Sequence, residues 1–132
     1  MLRRFQLETT RKEGFYQITN YVRAAAVQSQ LQNGAALVFC PHTTAGIILN
    51  ENTDPAVAED LVLGLDQAFP ANPGFAHLEG NSSAHLKALA AGASVQVIVE
   101  KSQLILGPWQ GIFFAEFDGP KTRTYYVKIL GL

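Results

Sequence analysis

The chain's three histidines, His42, His77 and His85, are the side chains best suited to chemistry near neutral pH. None lies inside an apolar run. His42 follows the run Ala35 to Cys40, His77 falls in a stretch rich in proline and glycine, and His85 stands early in a helical pattern. Three imidazoles and a water make an open zinc site, in which the metal activates the water. The spacing matches no local zinc motif such as His-x-x-x-His. On spacing alone, three unrelated and partly exposed histidines is the simpler account.

Other residues gather near His42. Glu51 follows closely enough to act as a general base on a bound water or a substrate proton; its plainer role is a solvated strand end. Thr43, Thr44 and the amides near Gly46 can form a small nest for an oxyanion or phosphate, but no glycine-rich loop with a lysine follows. Asp54 precedes Pro55, a pairing explained by a helix N-cap followed by proline at the first helical position. Asn81 can cap a helix or serve the site. Trp109, the only tryptophan, either anchors a core edge or stacks on a flat heterocycle. Arg123 either grips an anion with two N–H groups or pairs across strands on an exposed face.

Positioning these residues is the task of the surrounding elements. Arg3 to Thr9 alternates as a half-buried strand, ending in the charged turn Arg11-Lys12-Glu13-Gly14. Thr19 or Asn20 opens a helix to about Gln32, with Ile18, Tyr21, Val22 and Ala25 inward and Asn33-Gly34 as its stop. Ala35 to Cys40 and Gly46 to Leu49 read as buried strands. A second helix follows Asp54, with Val57, Leu61, Leu65 and Ala68 as its apolar face. Residues 69–80 form a loop. A third helix starts at Asn81 or Ser82 and ends near Gly92, with Leu86, Leu89 and Ala90 inward. Strands 94–100 and 103–106, then 110–117 and 122–130, form a C-terminal meander, with Asp118-Gly119-Pro120-Lys121 as a tight turn. Strands and helices mix without regular βαβ alternation, which predicts an α+β fold.

Composition narrows the function classes. At this length one domain, 1–132, is expected. With 48% hydrophobic and only 16% charged residues, much apolar surface must be hidden, and self-association is a natural way to hide it. A formal charge of -1 without a basic run argues against nucleic-acid binding. No stretch is apolar and long enough to span a bilayer, and no apolar signal core follows Met1. The single Cys40 excludes an internal disulfide and suits the cytoplasm.

Taken together, several motifs resemble the YjbQ-like family, also described as secondary thiamine-phosphate synthase. They are Pro41-His42-Thr43-Thr44-Ala45-Gly46, then Asn50-Glu51-Asn52-Thr53-Asp54-Pro55 with Asp60, then His77 with Asn81-Ser82-Ser83-Ala84-His85, then Gly107-Pro108-Trp109-Gln110 and Asp118-Gly119-Pro120 with Arg123. The resemblance covers nearly the full length in the same order. It implies an α+β fold around a mixed or mostly antiparallel sheet sandwich with about three helices, a homotrimer, and a divalent metal held by His42, His77 and His85. That metal would be zinc, or magnesium for diphosphate chemistry.

On the same basis His42, Glu51, His77 and His85 would be catalytic. Asn81, Trp109, Gln110 and Arg123, with Thr43 and Thr44 beside them, would bind a small-molecule substrate. The implied reaction joins hydroxymethylpyrimidine diphosphate to thiazole phosphate and expels diphosphate. Only Arg123, Lys121 and Lys101 offer cations for that leaving charge. The family usually has threonine where this chain has Pro108, which removes a hydroxyl and an N–H there. Two other classes are consistent with the same residues: a metal-dependent hydrolase of a small phosphorylated or carbonyl compound, and a non-catalytic ligand- or metal-binding module. The metal mechanism implied here requires the three imidazoles to converge on one point, with Glu51 within a water's reach.

Overall fold

A computed structural model describes residues 1–131. Its strands are β1 (Leu2–Glu8), β2 (Gly14–Gln17), β3 (Asn33–Phe39), β4 (Ala45–Glu51), β5 (Ser94–Glu100), β6 (Gln103–Leu104), β7 (Gln110–Glu116) and β8 (Thr122–Gly131). The helices are α1 (Thr19–Gln28), α2 (Pro55–Ala68) and α3 (Ser82–Ala91). All strand pairs are antiparallel and form two sheets, a five-stranded one in the order β1-β8-β3-β5-β6 and a three-stranded one in the order β2-β7-β4. The α+β expectation holds.

Alternation explains the larger sheet. Arg123, Tyr125, Val127 and Ile129 of β8 point inward, as do Ala36 and Val38 of β3 and Val97 and Val99 of β5. All of these except Arg123 pack with Ile18, Val22, Ala25 and Ala26 around α1 and with Ile47, Ile112 and Phe114 of the smaller sheet. Both faces of β7 are covered, because Ala115 and Phe117 pack on Ala84 and Ala88 of α3. This is why Ile112-Phe113-Phe114-Ala115 reads as a continuous apolar run and not as an alternating one. The smaller sheet is thus the middle layer, with α2 and α3 outside it.

Several boundaries differ from the reading of the sequence. Phe15 and Tyr16 belong to a short strand, β2, paired with β7 at Phe15↔Ala115. Sequence pattern missed it because four residues are too few to show a period. Helix α1 ends at Gln28, and Asn33-Gly34 begins β3 instead of stopping the helix. Tyr21 is exposed. The strands flanking residues 118–121 do not pair as a meander. β7 lies in the small sheet and β8 in the large one, because β7 is buried on both faces while β8 buries one.

Helix α3 is rotated from the expected face. Ala84, Lys87 and Ala88 are buried, whereas Leu89 is 78% exposed. Small residues explain the orientation, since they let α3 approach the sheet closely. A Cβ on Gly46 would lie 2.5 Å from the Gly92 carbonyl oxygen and 3.1 Å from Ala91 Cβ. Helix α2 buries no residue fully. Its Asp54 cap is as expected, accepting from the Ala56 N–H at 2.9 Å.

Candidate functional site

The turn from Cys40 to Thr44 ends one sheet and begins the other, and each of its three polar residues is tethered. Strand β3 stops at Phe39, opposite Tyr126, so the Thr124 N–H further back on β8 has no strand partner on that side. His42 Nε2 accepts it at 2.9 Å. A backbone N–H can only donate, so Nε2 must be unprotonated and Nδ1 carries the proton. Burial, and then the Arg123 charge, hold the His42 pKa below its ordinary value.

Thr43 offers its carbonyl to His85 Nδ1 at 3.1 Å. A carbonyl only accepts, so His85 carries its proton on Nδ1 and leaves the Nε2 lone pair open. The ring of His77 stands beside it, with centroids 5.5 Å apart. Loop 69–80 and the first turn of α3 thus bring two of the three histidines together.

Thr44 is buried and bound on both sides. Its hydroxyl accepts from Arg123 Nη2 at 2.9 Å, and its carbonyl accepts from the Phe117 N–H at 3.1 Å. Arg123 is only 4% exposed, and its guanidinium forks onto the fully buried carboxylate of Glu116, with Nε to Oε1 at 2.8 Å. Glu116 also receives the Thr9 hydroxyl at 2.8 Å and the Asp118 N–H at 3.1 Å. Burial alone would raise its pKa, but the hydrogen bonds from Arg123, Thr9 and Asp118 hold it below the usual carboxylate range. Committed in this way, Arg123 presents little to a substrate.

Asn81 occupies the N-cap position of α3, yet its side chain makes no capping bond. Its amide donates to Glu79 at 2.9 Å and to Asp118 at 3.0 Å, while Oδ1 is buried without a partner. Lys121 also holds Asp118, at 3.0 Å. Burial would raise the Asp118 pKa, but the bonds from Asn81 and Lys121 depress it. Behind this group, buried Lys87 pairs with Glu13 and Asp66 and ties α3 to α2 and to the turn before β2.

Sequence reasoning placed Asp118 only in a turn and a motif, and missed Glu116 and Lys87. A charge closing the apolar run Phe113-Phe114-Ala115-Glu116-Phe117 was a legible sign of a buried ion pair. Lys87, one residue from Ala88 in a helix of small residues, gave no such sign.

The remaining site residues lie elsewhere. Ala45 pairs with Glu116 and Glu51 pairs with Gln110. Strand β4 therefore separates the histidine end from the Glu51 end by about 20 Å, at roughly 3.4 Å per residue. At that far end Glu51 accepts the Thr53 N–H at 3.3 Å, Gln110 Oε1 accepts the Gly107 N–H at 2.8 Å, and Asn52 bonds the backbone of Trp109 and Gln110. Trp109 is 62% exposed and anchors no core edge. Within one chain, Glu51 cannot work on a group held by His85.

The donor set also bears on a metal. Among the described residues, no three His, Cys, Asp or Glu side chains gather closely enough to hold an ion. His77 and the open Nε2 of His85 fit as two ligands. His42 does not, because a neutral imidazole that accepts at Nε2 has its only other nitrogen protonated. One chain in this geometry falls short of the three protein ligands of a catalytic zinc site.

Fold and site together define a small α+β protein of two packed antiparallel sheets, with a tethered imidazole, His85, beside that of His77 at one end of the inner sheet. The chain belongs to the family described as UPF0047 protein YjbQ-like, whose model matches residues 3–132. It is 48% identical to UPF0047 protein YugU of Bacillus subtilis over 132 residues, covering 99% of this chain and 100% of that one. It is 47% identical to UPF0047 protein MJ1081 of Methanocaldococcus jannaschii over 131 residues, 99% and 95% of the two chains. A crystal structure of a YjbQ/UPF0047 family protein from Clostridium acetobutylicum superposes with a TM-score of 0.95 at 49% identity, covering 97% of this chain and 99% of that one. A YbjQ-like protein of Sulfolobus solfataricus gives the same TM-score at 31% identity, covering 100% and 97%.

No helix is long and apolar enough to cross a membrane among the described residues.

Proposed function

We propose that this protein is a small-molecule enzyme, resembling secondary thiamine-phosphate synthase, whose reactive nitrogen is His85 Nε2 and whose site is completed by a second copy of the chain. The observation that carries this reading is the contact of His85 Nδ1 with the Thr43 carbonyl beside His77, which orients an imidazole and leaves one lone pair free. A ring held in this way can accept a proton from a substrate or bind a cation. A zinc or other divalent ion on His77 and His85 would supply Lewis acidity to a phosphorylated or carbonyl group. Its remaining ligands would come from outside these two residues.

Two observations support self-association. The outer face of the large sheet carries Leu2, Leu37, Phe39, Ile98, Tyr126 and Leu130, an apolar stripe crossing four strands. Such a face is normally covered. Trp109 is likewise exposed, at the end of the small sheet where Glu51 lies. A homotrimer in which the Glu51, Trp109 and Gln110 end of one copy meets the His85 end of the next would unite residues that one chain keeps about 20 Å apart. In that arrangement Trp109 stacks on the pyrimidine, and the Glu51 carboxylate faces the positive charge that develops as the bond to diphosphate breaks and the thiazole nitrogen's lone pair forms the new one, so no proton is released. The counter-charge for departing diphosphate falls to Lys121, and a divalent ion held by His77 and His85 would add to it.

Complementation tests this reading. His85→Ala and Glu51→Gln are each expected to abolish thiamine-phosphate formation from the pyrimidine diphosphate and the thiazole phosphate. A mixture of the two variants, unfolded and refolded together, should regain a measurable fraction, because some sites then pair an intact His85 with an intact Glu51. Two inactive variants that never complement would remove the shared site. Light scattering that gives a monomer would remove the trimer, and wild-type protein with no turnover after metal loading would remove the transferase.

A further inference from the structure

We infer that Glu116 and Arg123 form a buried positioning pair that sets which ring nitrogen of His85 carries the proton. The inference rests on His85 being the reactive imidazole and gives Arg123 a role other than gripping substrate.

The connection runs through the His42 to Thr44 turn. Glu116 is saturated: the Arg123 fork, the Thr9 hydroxyl and the Asp118 N–H occupy its two oxygens. A carboxylate with four donors in a fully buried place has one stable orientation, and so does the guanidinium it holds. The same Arg123 Nη2 then reaches Thr44 Oγ1 at 2.9 Å. With the Phe117 N–H on its carbonyl, Thr44 is fixed from two strands. The peptide before it aims the Thr43 carbonyl at His85 Nδ1.

The next residue on β8 completes the frame, since the Thr124 N–H holds His42 Nε2. Arg123 and Thr124 thus grip the two ends of one three-residue turn, and the middle residue orients the imidazole on α3. A purely structural ion pair would stabilise the fold without selecting a tautomer. This one is joined to His85 by a short, specific chain of bonds.

Long-range proton–nitrogen correlation on nitrogen-15-labelled protein, treated with EDTA and held at pH 8, reads which ring nitrogen is protonated. Wild type should show His85 as the Nδ1–H form. Thr44→Val removes the hydroxyl that Arg123 binds and should lower the ratio of Nδ1–H to Nε2–H by about five-fold, the scale of one weakened hydrogen bond. Arg123→Lys, which keeps the charge but loses the fork, should move it the same way. Thr44→Ser restores the hydroxyl and should restore the wild-type ratio. Asp54→Ala, at the other end of the sheet, should not move it although it also destabilises the fold. An Nε2–H form in wild type, or an unchanged ratio in folded Thr44→Val, overturns the inference. Should Arg123→Lys not fold, the two Thr44 variants decide. Neither metal nor turnover enters this readout, so loss of complementation with an intact tautomer pattern would count against the proposed enzyme alone.

Discussion

The two ends of strand β4 carry residues of the same expected site and are built on opposite physical plans. At the Ala45 end the polar groups are buried, charged and bonded to one another across strands: Glu116, Arg123, Thr44 and Thr9. At the Glu51 end they are exposed or half-buried, and their bonds close local turns, as Gln110 does with Gly107 and Glu51 with Thr53. The first end holds its geometry unaided, because a buried polar group left unpaired is costly. The second is solvated, holds its own turns and leaves Trp109 free to meet something else. A site drawn from both ends would combine a rigid half with a half awaiting its counterpart.

The sharpest way to break this contrast is at the buried pair. Arg123→Met strands the Glu116 charge in the interior and should cost about 3–5 kcal/mol in denaturant unfolding. The double variant Arg123→Met with Glu116→Leu, which removes both charges, should recover most of that loss. A single-variant cost under about 1 kcal/mol would mean that the histidine end is not held by this pair.

Acid should act on the same end next. The pKa values of His42, Glu116 and Asp118 are all depressed in the folded protein. Each therefore contributes stability that is present above its unfolded value and lost as pH falls through its folded one. Stability should first decline below the ordinary histidine value of 6.5. A steeper decline should begin below the ordinary carboxylate value of 4.5. His42→Gln should remove the upper phase of a pH series of thermal melts and leave the lower one, and an unaltered upper phase would refute the assignment.

At the opposite end the expected costs shrink. Asp54→Ala deletes the cap of α2 and should destabilise by about 1 kcal/mol in the same unfolding measurement. Trp109→Ala and Glu51→Gln should each fall within about 0.5 kcal/mol of wild type. If Trp109 lies between copies, its variant should instead weaken association on dilution, seen by light scattering. A large stability loss without a change in association would place Trp109 in a role that its exposure does not suggest.

Much of this architecture was legible in the residues. The alternation of Arg3 to Thr9 marked β1 as a half-buried strand, the Asp54-Pro55 pair marked the start of α2, and the motif order from His42 to Arg123 marked the family. Other features were not. β2 was too short to show a period, and Asn81 read equally as a helix cap or a site residue, whereas its amide serves two carboxylates. Arg123 read as an anion site or as an exposed cross-strand partner; it is buried on Glu116 instead, and nothing in the residues shows which strand lies opposite.

The sequence by itself determined the α+β class, the start of α2 and the alternating faces of β1, since these follow from side-chain type and local period. It also placed the three histidines at element edges. Only the tertiary structure decided their company. Strand register fixes distance along a sheet, and the register Ala45↔Glu116 with Glu51↔Gln110 sets Glu51 far from His85 in the same chain. Cross-strand bonds fix protonation, and those from the Thr124 N–H and to the Thr43 carbonyl separate His42 from the His77 and His85 pair.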